Sequence, residues 1–130
     1  MGNLEDIGSL PPFDVWGEAV RARQVAGEGV AFSLVELAPG ALVPEHRHEQ
    51  EQLGMVIEGS VRFRIDDEVR DLSPGGTWRI PSNHPHEIVT GPDGAVVIDI
   101  FAPVRADWDR FPRLEPRPPR WPVAGADDSA

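Results

Sequence analysis

Apolar and polar residues alternate without a break through Val61-Arg62-Phe63-Arg64-Ile65, the period-two pattern of a half-buried strand. Shorter apolar-rich stretches surround it. Residues 20–25 read as a first strand, and residues 30–37 as a second that ends at the turn Pro39-Gly40. Residues 53–57 run into Glu58-Gly59, and Asp66-Asp67 makes a hairpin turn before residues 69–72. Ser73-Pro74-Gly75-Gly76 is a strong turn signal. Residues 78–80, 87–90 and 95–101 complete the set, with Gly91-Pro92-Asp93-Gly94 as a further turn. No segment sustains a helical period. About eight or nine short strands punctuated by Gly and Pro predict an all-β antiparallel sandwich or barrel.

The two ends read differently. Residues 1–17 are a turn-rich lead-in containing Pro11-Pro12, and residues 18–106 hold the strands. From residue 107 the composition shifts. Pro112, Pro116, Pro118, Pro119 and Pro122 exclude sheet, so residues 107–130 read as an extended Pro-rich tail, packed on the surface in part and frayed at its end. Trp108, Phe111 and Trp121 are the side chains expected to pin it to the barrel or to a second subunit.

Composition narrows the function. With 130 residues, 40% of them hydrophobic, the chain has one domain's worth of core. No apolar run approaches the ~18 residues of a membrane-spanning helix. The opening Met1-Gly2-Asn3-Leu4-Glu5-Asp6 has neither basic nor apolar leader character, which makes the cytoplasm the expected compartment. The absence of Cys excludes disulfides, thiol catalysis and cysteine metal sites, and the absence of Tyr excludes a phenolic acid or base. All 12 basic residues are Arg, which removes Schiff-base chemistry. A formal charge of −10 argues against nucleic-acid or membrane partners. It leaves room for a small anionic substrate held by a local Arg.

The histidines carry the strongest signal. There are only 4, arranged as two His-x-His pairs, His46/His48 and His84/His86. On a strand, residues two apart project to one face. Two imidazoles from one strand and a third from a neighbour can converge on a metal ion, a task suited to imidazole. The competing reading is a set of surface histidines beside turns. A second chemical signal lies in the last apolar strand, where Asp99 interrupts Val96-Val97-Ile98 and Ile100-Phe101. Buried there, its pKa would be perturbed as a general acid or base requires. An outward, ion-paired Asp99 is the alternative.

The run from Gly40 through His46, His48 and Gln52 to Gly59 resembles the first motif of the cupin family. Gly76 to His86, with Pro81 five residues before His86, resembles the second, with Asn83 standing where that motif has Gly. The resemblance spans about residues 30–102. It implies a double-stranded β-helix, a small jelly-roll barrel, holding one divalent metal ion in its mouth, with Ni, Zn, Fe, Mn and Co all open. His46, His48 and His86 are then the histidine ligands. The family's Glu ligand falls on Gln52 here. Strand parity favours Gln52, with Glu51 one step off as the alternative. A neutral Gln leaves the site more positive than Glu would, favouring Lewis-acid work on an anion. His84 is a candidate rim residue. Arg62 and Arg64 read as a solvated face, Trp78 and Phe32 as core, and Met55 as a cavity edge.

The ending Asp99-Ile100-Phe101-Ala102-Pro103-Val104-Arg105 resembles that of small cupins that linearise unsaturated uronates. This implies Asp99 as the proton-transfer residue, Phe101 as a pocket wall and Arg105 as a clamp for the substrate carboxylate, for which Arg is geometrically suited. An ion pair of Arg105 with Asp107 or Asp109 is the competing reading. The expected function is metal-dependent, non-redox ring opening or isomerisation of a small unsaturated sugar acid, a 4,5-unsaturated uronate, to a keto acid. A metal-dependent dioxygenase or polyketide-type cyclase is the alternative, and a non-catalytic ligand-binding cupin the third. The resemblance also implies a homodimer, with Leu10, Phe13 and Trp16 of the lead-in packing across it.

Overall fold

Two long strands organise the chain. The structure is a computed structural model and describes residues 2–122. Its strands are β1 (Phe13–Asp14), β2 (Val20–Ala26), β3 (Ala31–Leu37), β4 (Leu42–His46), β5 (Glu51–Ile65), β6 (Glu68–Leu72), β7 (Thr77–Ile80) and β8 (His86–Ala102). Short 3-10 turns occupy Ile7–Ser9 and Ala106–Arg110. All the strand pairs are antiparallel, in the order β1-β2-β3-β8-β5-β6, with β4 also on β8 and β7 also on β5. The expected all-β class is therefore correct.

The pattern breaks at Gly59 and at Gly91–Gly94 predict four separate strands where β5 and β8 each run through. The breaks are bulges. Pairing passes from Gly59↔Ala95 to Val61↔Thr90, so β8 carries extra residues opposite a near-continuous β5 and bends there. Gly59 sits at φ +76°, and a Cβ on it would lie 2.0 Å from the Gly94 carbonyl oxygen. Only glycine allows the strands this approach. Because both strands bend at this level, each contributes one half to either end of the barrel.

Strand alternation builds the core. Val20 and Ala22 of β2, Val35 and Leu37 of β3, Val56 of β5 and Val97 of β8 are buried on the inner face. Leu34 and Val96 face outward yet are also buried. The C-terminal segment runs beside them. Arg23, fully buried, donates to the Arg117 carbonyl at 2.6 Å and pairs with Glu36 at 3.4 Å. The Arg120 amide donates to Glu36, and its guanidinium reaches the Leu37 and Ala95 carbonyls.

The lead-in is more ordered than turn signals suggest. Phe13 pairs with Ala22 and Asp14 with Arg21. The Phe13 ring stacks on Phe111 and meets Trp108 edge-on. Trp108 is buried, Phe111 partly so and Trp121 38% exposed. The expected tail beyond residue 122 lies outside the described residues.

Candidate metal centre and acid pocket

Three histidines meet where β4 ends and β8 begins. His46 closes β4 and His86 opens β8, directly paired in register. His48 lies beyond the end of β4, so strand parity is not what aligns it with His46. Its loop is tied across the mouth by the Asn83 amide, which donates to the His48 carbonyl at 2.8 Å. Asn83 is left-handed, φ +64°, a conformation Asn tolerates better than most residues, at the position where the family motif has Gly.

The ring nitrogens divide into two sets. Nδ1 of His46 donates to the Pro44 carbonyl, that of His48 to the Gln50 carbonyl and that of His86 to the His84 carbonyl, at 2.8, 3.0 and 2.9 Å. These bonds fix the tautomer and leave each Nε2 as a lone-pair donor. One donor nitrogen from each ring lies within 4.8 Å of the others. Ring centroids are 4.2 Å apart for His46–His86 and 5.0 Å for His48–His86. Burial lowers the pKa of all three rings, that of His86 to about 4, with the Arg105 charge lowering each further.

Two observations test the donor set for a metal. The buried His86 Nε2 has no hydrogen-bond partner, a costly state for an imidazole nitrogen. The Gln52 amide donates through Nε2 to Asp99, 2.7 Å, which turns its Oε1 toward His48 Nε2 at 3.0 Å. With His48 Nδ1 already donating, two acceptors then face each other. A cation between them removes the repulsion. The set of three imidazoles and one amide oxygen fits a divalent ion. Gln52 is 5% exposed, whereas Glu51 is exposed on the other face, as alternation requires.

Asp99 is the inward carboxylate of β8. It is 6% exposed, and its Oδ1 accepts from Gln52 Nε2 and from Trp78 Nε1 at 2.9 Å. Desolvation pushes its pKa up to about 6, against the opposing effect of these two donors and the Arg105 charge. Register explains the Trp78 contact. Asp99 pairs with Gly54, and Gly54 pairs with Trp78. A Cβ on Gly54 would fall 2.2 Å from the indole, so glycine leaves the gap through which Trp78 reaches the carboxylate.

Phe101, buried, lies two residues on and meets His48 edge-on at 5.9 Å. Arg105 follows β8. Its guanidinium lies 5.3 Å from the Phe101 ring and 4.9 Å from the Trp108 ring, within cation–π range. It also donates from Nη2 and Nε to Asp107 at 2.8 and 3.3 Å, which lowers the Asp107 pKa. Arg105 is thus ion-paired and also lines the cavity.

That cavity encloses about 50 Å³ and is lined by His46, Gln52, His86, Asp99, Phe101 and Arg105, with Trp16 and Trp108 as further walls. Trp16 escapes sequence reasoning as a site residue. The expectation of a dimer contact rests on its apolar character alone, whereas its ring stands 5.8 Å from His46. Other candidates lie elsewhere. His84 pairs with Asp66 at 2.7 Å, Arg62 with Asp71 and Arg64 with Glu45. Met55, expected at the cavity edge, and Phe32, expected in the core, are 39% and 40% exposed on the outer face.

The fold and the histidine motifs place the chain in the cupin family, whose domain model matches residues 33–101. Among characterised proteins it is similar to the pectin degradation protein KdgF of Dickeya dadantii (strain 3937). The two are 29% identical over 104 residues, 78% of this chain and 94% of that one. The solved structure of KdgF from Halomonas sp. superposes with a TM-score of 0.68 at 29% identity, covering 73% of this chain and 88% of that one. An RmlC-like cupin from Shewanella frigidimarina shares the fold, with a TM-score of 0.77 at 22% identity, covering 83% and 96%. No helix among the described residues is long and apolar enough to cross a membrane.

Proposed function

We propose that this cupin opens the ring of a 4,5-unsaturated uronate, a small sugar acid, to a keto acid without redox chemistry. One observation carries the reading: Gln52 faces the histidine cluster with its oxygen and Asp99 with its amide nitrogen. The metal-ligating group and the proton-transfer group are therefore one hydrogen-bonded unit, with Arg105 on the same cavity wall. The similarity to a pectin degradation protein supports the sugar-acid class.

His46, His48, His86 and Gln52 would hold the metal, which when bound supplies Lewis-acid polarisation of substrate oxygens. Arg105 draws in the substrate carboxylate through Nη1, which has no partner among the described residues, while Asp107 and the two aromatic rings fix the guanidinium plane. Phe101 excludes water from the reacting centre. Asp99 moves the proton. The anomeric hydroxyl loses its proton, the bond between the anomeric carbon and the ring oxygen breaks, and the enolate so released takes a proton at C4 to become the ketone. The reaction is an isomerisation, so atoms and electrons balance without oxygen or a reductant.

A homodimer belongs to the same proposal. Phe32, Leu53, Met55 and Ile100 are each 38–41% exposed and share the outer sheet face in adjoining register.

The test is a time course of the conjugated enol-ether absorbance of the uronate, with metal-loaded protein, in air and under nitrogen. We expect equal loss in both gases and none after chelation. Loss that requires oxygen would contradict the proposal and favour dioxygenase chemistry.

A further inference from the structure

The cavity of about 50 Å³ admits a few waters or an acid group. It lies far below the ~300–1,000 Å³ that encloses a whole organic ligand. A ring acid that reaches the histidine cluster and Arg105 with its oxygens must therefore leave much of its ring at the mouth.

Trp16 stands at that mouth. Of the three Phe and Trp side chains lining the cavity, Phe101 and Trp108 are 1% and 6% exposed, whereas Trp16 is 42% exposed. Of the three, it alone exposes a substantial aromatic surface. Its mounting is firm. The segment between β1 and β2 turns through Gly17 at φ +63° and a bridge between Trp16 and Glu18, and the Val15 amide donates to the Val20 carbonyl at 2.9 Å. Phe13, at the base of this hairpin, packs edge-on against Trp108, itself a wall of the same cavity. The indole is thus held 5.8 Å from the His46 ring, beside the candidate metal centre.

We propose that Trp16 is the specificity residue of this pocket, selecting planar conjugated carboxylates over puckered saturated ones. This rests on the uronate reading and deepens it. An enol ether conjugated to a carboxylate is flat over several atoms. A flat π-system can lie against an indole face while Arg105 holds its acid group, whereas a saturated ring presents bulky C–H edges to both.

The test uses metal-loaded protein and two stable probes, furan-2-carboxylate, a planar enol-ether acid, and tetrahydrofuran-2-carboxylate, its saturated counterpart. Calorimetry gives affinities for wild type, W16F and W16L, after circular dichroism has checked that all three are folded. We expect the planar acid to bind wild type roughly three- to tenfold more tightly than the saturated one. W16F should keep most of that preference and W16L should abolish it. Equal affinities in wild type, an unchanged preference in W16L, or no binding of the furoate would overturn the proposal. Failure of wild type to turn over the uronate would instead overturn the function, since the probe preference is measured without turnover.

Discussion

Asp99 and Ile100 are neighbours on β8 and face opposite sides of the sheet. Around Asp99 the inward row runs Ser33, Asp99, Gly54 and Trp78 across four strands. Around Ile100 the outward row runs Phe32, Ile100, Leu53 and Arg79. The inner row places a carboxylate and a hydroxyl in the barrel core. The outer row leaves three large apolar side chains 38–41% exposed. A fold shaped by stability alone would reverse the two, because burying a charge or hydroxyl costs free energy and burying Ile or Phe gains it. The inversion separates two demands. Of the inner polar groups Asp99 belongs to the site, where Gln52 and Trp78 offset part of its desolvation by donating to it. The outer apolar groups suit a surface that is covered in the proposed dimer.

The largest expected effect comes from removing an inner ligand. His86→Ala should reduce bound metal from about one ion per chain to background, read by elemental analysis, and abolish turnover. Retention of the ion would remove His86 from the ligand set. Asp99→Asn comes next. It keeps the shape and should retain metal while lowering kcat by about 10²–10⁴-fold. A variant that instead loses its metal would make Asp99 a support for Gln52 rather than the proton carrier.

Gly54→Ala tests the gap in the inner row. Its new Cβ meets the Trp78 indole, which should cost about 1–3 kcal/mol of overpacking and lower Tm by several degrees. An unchanged Tm would mean that Trp78 swings away freely. The smallest effect on stability belongs to the outer row. Ile100→Lys should change unfolding free energy by no more than about 0.5 kcal/mol, yet convert a dimer to a monomer by light scattering. A variant that keeps the wild-type mass would remove the outer face from the dimer contact.

The same pleat explains what the sequence could disclose. Alternation through residues 61–65 and the parity of Gln52 against Glu51 are local, and both are legible without a structure. The two His-x-His pairs mark where the cluster forms. Their use of His48 depends on a loop tied by the Asn83 amide, which strand parity does not describe. Gly59 and Gly91–Gly94 carry the residues of turns, and only the pairing of β5 with β8 makes them bulges. The roles of Trp78 and Trp16 are set by partners distant in sequence. Trp78 reaches Asp99 because Gly54 lies between them in register. Trp16 reaches the mouth because Phe13 is anchored on Trp108. Phe32 and Met55 show the converse, apolar residues expected in the core and at the cavity edge that register sends outward.

The central claim, that an inward carboxylate delivers a proton to the opened ring, can be read in the product. The uronate would be turned over in deuterium oxide with wild type and with Asp99→Asn, and C4 of the keto acid examined at early times by NMR. The account predicts one deuterium on a single face of C4 with wild type, and with the variant only the slow two-faced labelling of spontaneous opening. Two-faced labelling by wild type at its full rate would contradict it, because the proton would then come from solvent after release.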